Sequence, residues 1–204
     1  MMDRKCSLPI AIAAMAVALP LTMEIASAAS VEDNAKICAS CHGENGIPQA
    51  KTTPIIWGQN EGYLYLQLRD FKSGARKNDQ MAAIVASLEK ADFKALAAHF
   101  AGLKWPNLAQ PSPSKDDTKK ALTVIGSIGC TSCHLDQFQG DGTTARLAGQ
   151  QAEYLLNTMT AFRDGSRANN PGMSDLMKAV QPPDLLKPIA DYLASLQVVG
   201  GNNQ

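Results

Sequence analysis

Two thiols three positions apart, followed at once by an imidazole, occur twice in this chain: Cys38-Ala39-Ser40-Cys41-His42 and, ninety-two positions later, Cys130-Thr131-Ser132-Cys133-His134. Each thiol can add across one vinyl group of a porphyrin, and the two-residue spacer lets the pair reach both vinyls of one ring. The adjacent histidine then lies under the ring and can give a proximal nitrogen to iron. The motifs therefore imply two haem c groups, attached through Cys38, Cys41, Cys130 and Cys133, with His42 and His134 as iron ligands. Other readings compete. A disulfide framework leaves both histidines unexplained. A thioredoxin-like redox motif needs alternating strands and helices around it. A four-cysteine zinc site would have to bring the two distant motifs together.

The duplication extends beyond the motifs. Gly58-Gln59, Tyr63, Phe71, Gly74, Arg76 and Asn78 recur ninety-one positions later as Gly149-Gln150, Tyr154, Phe162, Gly165, Arg167 and Asn169. The offset returns to ninety-two at Met81 and Met173, and holds for Asp92 and Asp184 and for Phe100 and Tyr192. One residue lost in a loop and one gained in the next is what surface connections tolerate. The chain reads as two similar domains in tandem, 29–110 and 111–204.

Residues 1–28 have a charged start (Asp3, Arg4, Lys5), an apolar run from Leu8 to Met23, and a small-residue tripeptide, Ala26-Ser27-Ala28. That order is a secretory signal peptide; the run is short for a membrane anchor. Cys6 leaves with it, so the exported mature chain keeps only the four motif cysteines. With 19 Lys+Arg against 19 Asp+Glu the chain is neutral, which argues against a nucleic-acid partner. Each half is small for a self-sufficient core, and a large apolar cofactor would supply much of what is missing. Between the halves, Trp105-Pro106 to Lys120 is rich in Pro and Ser and reads as a linker or as an ordered strap. The tail Gly200–Gln204 reads as unstructured.

The periodicity is helical throughout, and the class is all-α: in each half a few helices around one covalently bound haem. Helices are expected over Val31–Ala39 and Asp117–Gly129, over Gln59–Gly74 and Gln150–Gly165, and over Ala91–Leu103 and Asp184–Leu196. Leu64, Leu68 and Phe71 fall on one face of the second helix, and Gly74 ends it.

The double Cys-x-x-Cys-His, the Gly-Gln pair opening a helix, the Phe-x-x-Gly-x-Arg ending and a methionine thirty-nine residues after each motif histidine together resemble the dihaem cytochrome c4 family. The resemblance spans nearly the whole mature chain. It implies two class I cytochrome c folds in tandem, each iron six-coordinate through histidine and methionine, passing single electrons in the periplasm. Its members look like carriers between a quinol-oxidising complex or dehydrogenase and a terminal oxidase, with peripheral association with membrane complexes. In the family a proline after the motif presents its carbonyl to the proximal histidine. Here that position is Pro54 in the first half but Ala145 in the second.

The mature chain has three histidines, so both irons cannot be bis-histidine; His99 reads as a solvated helix position. Met159 lies on an apolar helix face and reads as core, and Met177 competes with Met173. Only Met81 and Met173 share the thirty-nine-residue distance, so they are the expected axial ligands. Arg76 and Arg167 have two readings, pairing with haem propionates or standing in water at a helix end. Tyr63, Tyr154, Phe71 and Phe162 read as haem-packing residues. An electron carrier, and not an enzyme, is the function this set implies. The alternative is a haem-bearing electron-accepting subunit of a periplasmic dehydrogenase. A peroxidase would need an open iron position, which the two methionines oppose.

Overall fold

Glycines placed just after the long apolar-faced segments set the lengths of the helices. The computed structural model describes residues 30–197, and the expected signal peptide and C-terminal tail lie outside that range. Among the described residues every element is helical: α1 Val31–His42, α2 Glu61–Ser73, α3 Asp79–Val85, α4 Lys90–Ala101, α5 Lys115–Ile128, α6 Thr131–His134, α7 Ala152–Asp164, α8 Pro171–Ala179 and, after a 3-10 turn at Pro183–Leu185, α9 Leu186–Ser195. Gly74 and Gly165 close α2 and α7 at φ 76° and 83°, a left-handed conformation that glycine adopts without a Cβ clash.

Each half builds the same small bundle. In the first, α2 packs on α3 and α4, and α1 packs on α4; in the second, α7 packs on α8 and α9, and α5 packs on α9. Phe93, Leu96, Ala97 and Phe100 of α4 close over Leu64 and Phe71 of α2 and Ala35 of α1. Leu186, Ile189, Ala190 and Leu193 of α9 do the same over Leu155, Met159 and Phe162 of α7 and Ala121 and Ile125 of α5. Removing one such side chain from water contributes about 1.5–3 kcal/mol. Two separate cores result, one per half.

The halves differ where their sequences differ. At position 37 α1 has isoleucine and runs unbroken through the motif to His42, whereas the equivalent Gly129 takes φ 71° and ends α5, so α6 restarts to carry Cys133 and His134. The short helices α3 and α8 were not expected from periodicity. The segment after α4 is a strap: Trp105 is buried, and Gln110 donates to the carbonyls of Gln150 (2.9 Å) and Ala194 (3.2 Å) and accepts from the Ala152 amide (3.0 Å). Among the described residues no helix is long and apolar enough to cross a membrane.

Candidate haem sites and the interface between them

α1 carries Cys38, Cys41 and His42, with Cys38 packed against the first core; Cys130 caps α6, which carries Cys133 and His134, and packs against the second. The His42 Nδ1–H donates to the Pro54 carbonyl at 2.8 Å, and the His134 Nδ1–H donates to the Ala145 carbonyl at 2.9 Å. A carbonyl only accepts, so Nδ1 carries the proton and Nε2 keeps its lone pair for a metal. Alanine thus presents its carbonyl as proline does. Burial lowers the pKa of both imidazoles, the carbonyl bond opposing it, and so holds the rings neutral, the form that binds iron.

All four motif cysteines are unpaired. Burial pushes the Cys38 thiol up to about 11 and raises Cys130 as well. Such thiols are poor thiolates, which argues against disulfide exchange. Cys38 and Cys130 pack against separate cores, so the two motifs do not meet as a four-cysteine zinc site would require.

Met81 and Met173 sit in the first turns of α3 and α8. Asn78 and Asn170 cap these helices, their side-chain oxygens accepting from the Met81 amide (2.8 Å) and the Met173 amide (3.1 Å). The caps fix where each methionine enters. Met81 and Cys38 both pack against the first core, and Met173 and Cys130 both pack against the second. Met177, the competitor, is buried in the second core beside Met159. His99 is half-buried and stands edge-on to Phe100.

These donors fit a haem in each half: two unpaired thiols, a neutral imidazole with Nε2 free, and a thioether held against the same apolar cluster. Trp57 Nε1, Trp105 Nε1 and two guanidinium nitrogens of Arg146 are buried donors with no protein partner. Haem propionates are acceptors of the kind such donors lack.

Which residues join the halves does not follow from the repeat. The Gln59 side chain accepts from the Arg146 amide (2.7 Å) and donates to the Arg146 carbonyl (3.0 Å). Its repeat partner Gln150 accepts from the Ile55 amide (2.8 Å) and donates to the Ile55 carbonyl (2.9 Å). Ile55 and Arg146 are themselves equivalent, so the contact is a pseudo-two-fold. Arg76 and Arg167 follow the same symmetry: Arg76 donates to the Tyr154 hydroxyl (3.1 Å) and Arg167 to the Tyr63 hydroxyl (3.4 Å). Each guanidinium also lies over the phenylalanine of its own half, Phe71 at 4.5 Å and Phe162 at 4.3 Å. The arginines are therefore not helix-end groups in water, and the two tyrosines serve the interface. Gln59 and Gln150, Tyr63 and Tyr154, and Arg76 and Arg167 repeat in the sequence, but a repeat does not say which faces meet.

Two helical bundles, each offering this donor set, define a tandem c-type cytochrome. No protein-family profile matches the chain. It is 32% identical over 177 residues to the cytochrome c4 of Pseudomonas aeruginosa, covering 83% of this chain and 87% of that one. It is 32% identical over 173 residues to a thiosulfate dehydrogenase electron acceptor of Stutzerimonas stutzeri, covering 79% of this chain and 80% of that protein. The solved cytochrome c4 of Acidithiobacillus ferrooxidans superposes with a TM-score of 0.71 at 27% identity, covering 79% of this chain and 99% of its own. The chain belongs to the cytochrome c4 family, dihaem proteins of electron transfer.

Proposed function

We propose that this dihaem cytochrome works in the periplasm, after loss of residues 1–28, as a carrier of single electrons between a quinol-oxidising complex or dehydrogenase and a terminal oxidase. Residues 29–110 and 111–204 form its two domains. When bound, each haem supplies a ferric/ferrous couple. Cys38 and Cys41 would hold the first ring and Cys130 and Cys133 the second; His42 with Met81, and His134 with Met173, would supply the iron ligands. The observation that carries this reading is the matched pair of histidine-to-carbonyl bonds, which leaves one free imidazole nitrogen per half. A thioether ligand from Met81 or Met173 would favour ferrous iron. Such a protein transfers electrons without a substrate site, so no enzyme activity is assigned to it. The test is a spectroelectrochemical titration of the exported protein, with acid-acetone extraction of a separate sample. Two low-spin haems that resist extraction and titrate reversibly support the carrier; extractable haem, or carbon monoxide binding by the unmodified ferrous protein, overturns it.

A second reading, an electron-accepting subunit of a periplasmic dehydrogenase, draws on the similarity to the thiosulfate dehydrogenase electron acceptor. Purification as a lone protein favours the carrier. Stoichiometric co-purification with a dehydrogenase favours the subunit.

A further inference from the structure

The two helices that carry the expected axial methionines are short, seven residues in α3 and nine in α8. A helix of one or two turns has few internal bonds to hold its shape, and its last carbonyls have no partner within it. Asn78 and Asn170 secure the N-terminal ends; the C-terminal ends are secured from another helix. Lys72 Nζ, in the last turn of α2, donates to the Ala86 carbonyl (3.0 Å) and the Leu88 carbonyl (2.6 Å). Arg163 Nη1, in the last turn of α7, donates to the carbonyls of Met177 (2.8 Å), Lys178 (3.3 Å) and Val180 (2.6 Å).

The two cations stand at equivalent places. Lys72 and Arg163 are ninety-one positions apart, as Phe71 and Phe162 are, while Ala86 and Leu88 lie ninety-two before Lys178 and Val180, the offset of Met81 and Met173. Their acceptors are carbonyls that a helix end leaves without a bond of its own, where a positive charge also complements the helix dipole. Leu88 and Val180 are buried, so each tie ends on fixed backbone. The Glu89 carboxylate, 3.6 Å from Lys72, is exposed and adds little.

We propose that Lys72 and Arg163 are positioning residues for axial ligation: each clamps the far end of a methionine-bearing helix to the helix before it, and so keeps Met81 or Met173 at its iron. Each acts through backbone, since Met81 lies five positions before Ala86 and Met173 five before Lys178. With an asparagine cap on one side and a cation on the other, the methionine is held between two fixed points. Freeing one end lets the helix swing, so the thioether leaves more often and a small ligand enters. This rests on the histidine and methionine ligation proposed above.

The test uses the haem-loaded ferric protein and imidazole, whose binding at iron requires the methionine to leave. Rates of entry are read beside the methionine-to-iron absorbance, and carbon-13 methyl resonances of Met81 and Met173 in the ferrous protein tell which site has changed. Lys72→Ala should speed entry at the first haem by about tenfold or more, the scale of one hydrogen bond to a charged group, and weaken the absorbance there. Arg163→Ala should do the same at the second haem only, and Lys72→Arg and Arg163→Lys should restore wild-type behaviour. Met177→Ala, which loosens the second core but keeps the Arg163 bonds, should leave entry unchanged. Unchanged rates and absorbances in both alanine variants, even with lower unfolding temperatures, overturn the proposal and leave the carrier reading intact. So does entry raised equally at both haems by either change, the mark of general loosening. Where an alanine variant fails to fold, Lys72→Gln and Arg163→Gln, which keep a stem and lose the charge, are read in the same way. A wild-type protein without methionine-to-iron absorbance overturns this proposal and the ligand assignment together.

Discussion

Gln59 and Gln150 grip each other's domains in the same way: each side-chain amide closes a two-bond ring on the backbone of the residue four positions before the other. The contact replaces water at four buried backbone groups, those of Ile55 and Arg146, with geometry that only the native alignment of the halves provides. A buried amide or carbonyl left unpaired is costly, so the rings hold the domains in register as well as together.

Gln150→Ala strips the partner from the amide and carbonyl of Ile55, which is 1% exposed. The expected loss is about 2–6 kcal/mol of stability, from two buried groups at about 1–3 kcal/mol each. Urea unfolding followed at the haem bands measures it. The double variant with Gln59→Ala should lose less than the sum, since the first change already loosens the shared interface. Strict additivity would show that the two rings act independently.

Gly62→Ala should open the same interface from another point. A Cβ at Gly62 would come within 2.7 Å of the Gly142 carbonyl oxygen, next to the 3.1 Å bond from the Tyr63 amide to that same oxygen. The variant should keep both haem spectra and unfold in two separated calorimetric transitions. A single transition at the wild-type temperature would contradict the tight approach.

Gln110→Ala should release the strap. The side chain ties four backbone groups of the second domain, at Gly149, Gln150, Ala152 and Ala194. Limited proteolysis is expected to cut between Trp105 and Ser114 at least several-fold faster than in the wild type, since exposed Pro- and Ser-rich chain is cleaved when its bonds are lost. Unchanged cleavage would mean that Trp105 packing alone holds the strap.

Met173→Ala should convert one haem to a high-spin, carbon-monoxide-binding form and leave the other unchanged. Met177→Ala should leave both spectra intact and cost about 2–5 kcal/mol through the cavity it makes in the second core. The reverse outcome, with Met177→Ala changing the spin state, would shift the axial ligand by one helical turn.

Replacing both Cys130 and Cys133 by alanine should leave one covalent haem, seen as a lower mass by intact-protein spectrometry. The second core should then lose cooperative unfolding, because a domain this small buries too little surface without its cofactor. Retention of two covalent haems would require another attachment site.

Local chemistry made much of this protein readable in order. A motif whose two thiols and imidazole must reach one porphyrin can be recognised without knowing the fold, and its repetition, with matched glycines ending α2 and α7, already implied two helical domains. Met81 and Met173 stand out in sequence by their common distance from the histidines. The helices α3 and α8 that carry them do not, because one or two turns are too short for a periodic apolar face, and their Asn78 and Asn170 caps have meaning only once the backbone turns there. The docking of the halves was decided by tertiary structure alone. Repeated residues such as Gln59 and Gln150, or Arg76 and Arg167, look in sequence like parts of one domain's interior, since duplication preserves internal packing and interface alike. Only when the two copies meet about a pseudo-two-fold does each find its partner in the other half. Likewise Trp105 to Gln110 is as compatible with a loose linker as with a strap until the carbonyls that Gln110 needs are brought within 3.2 Å by the folding of residues forty and more positions away.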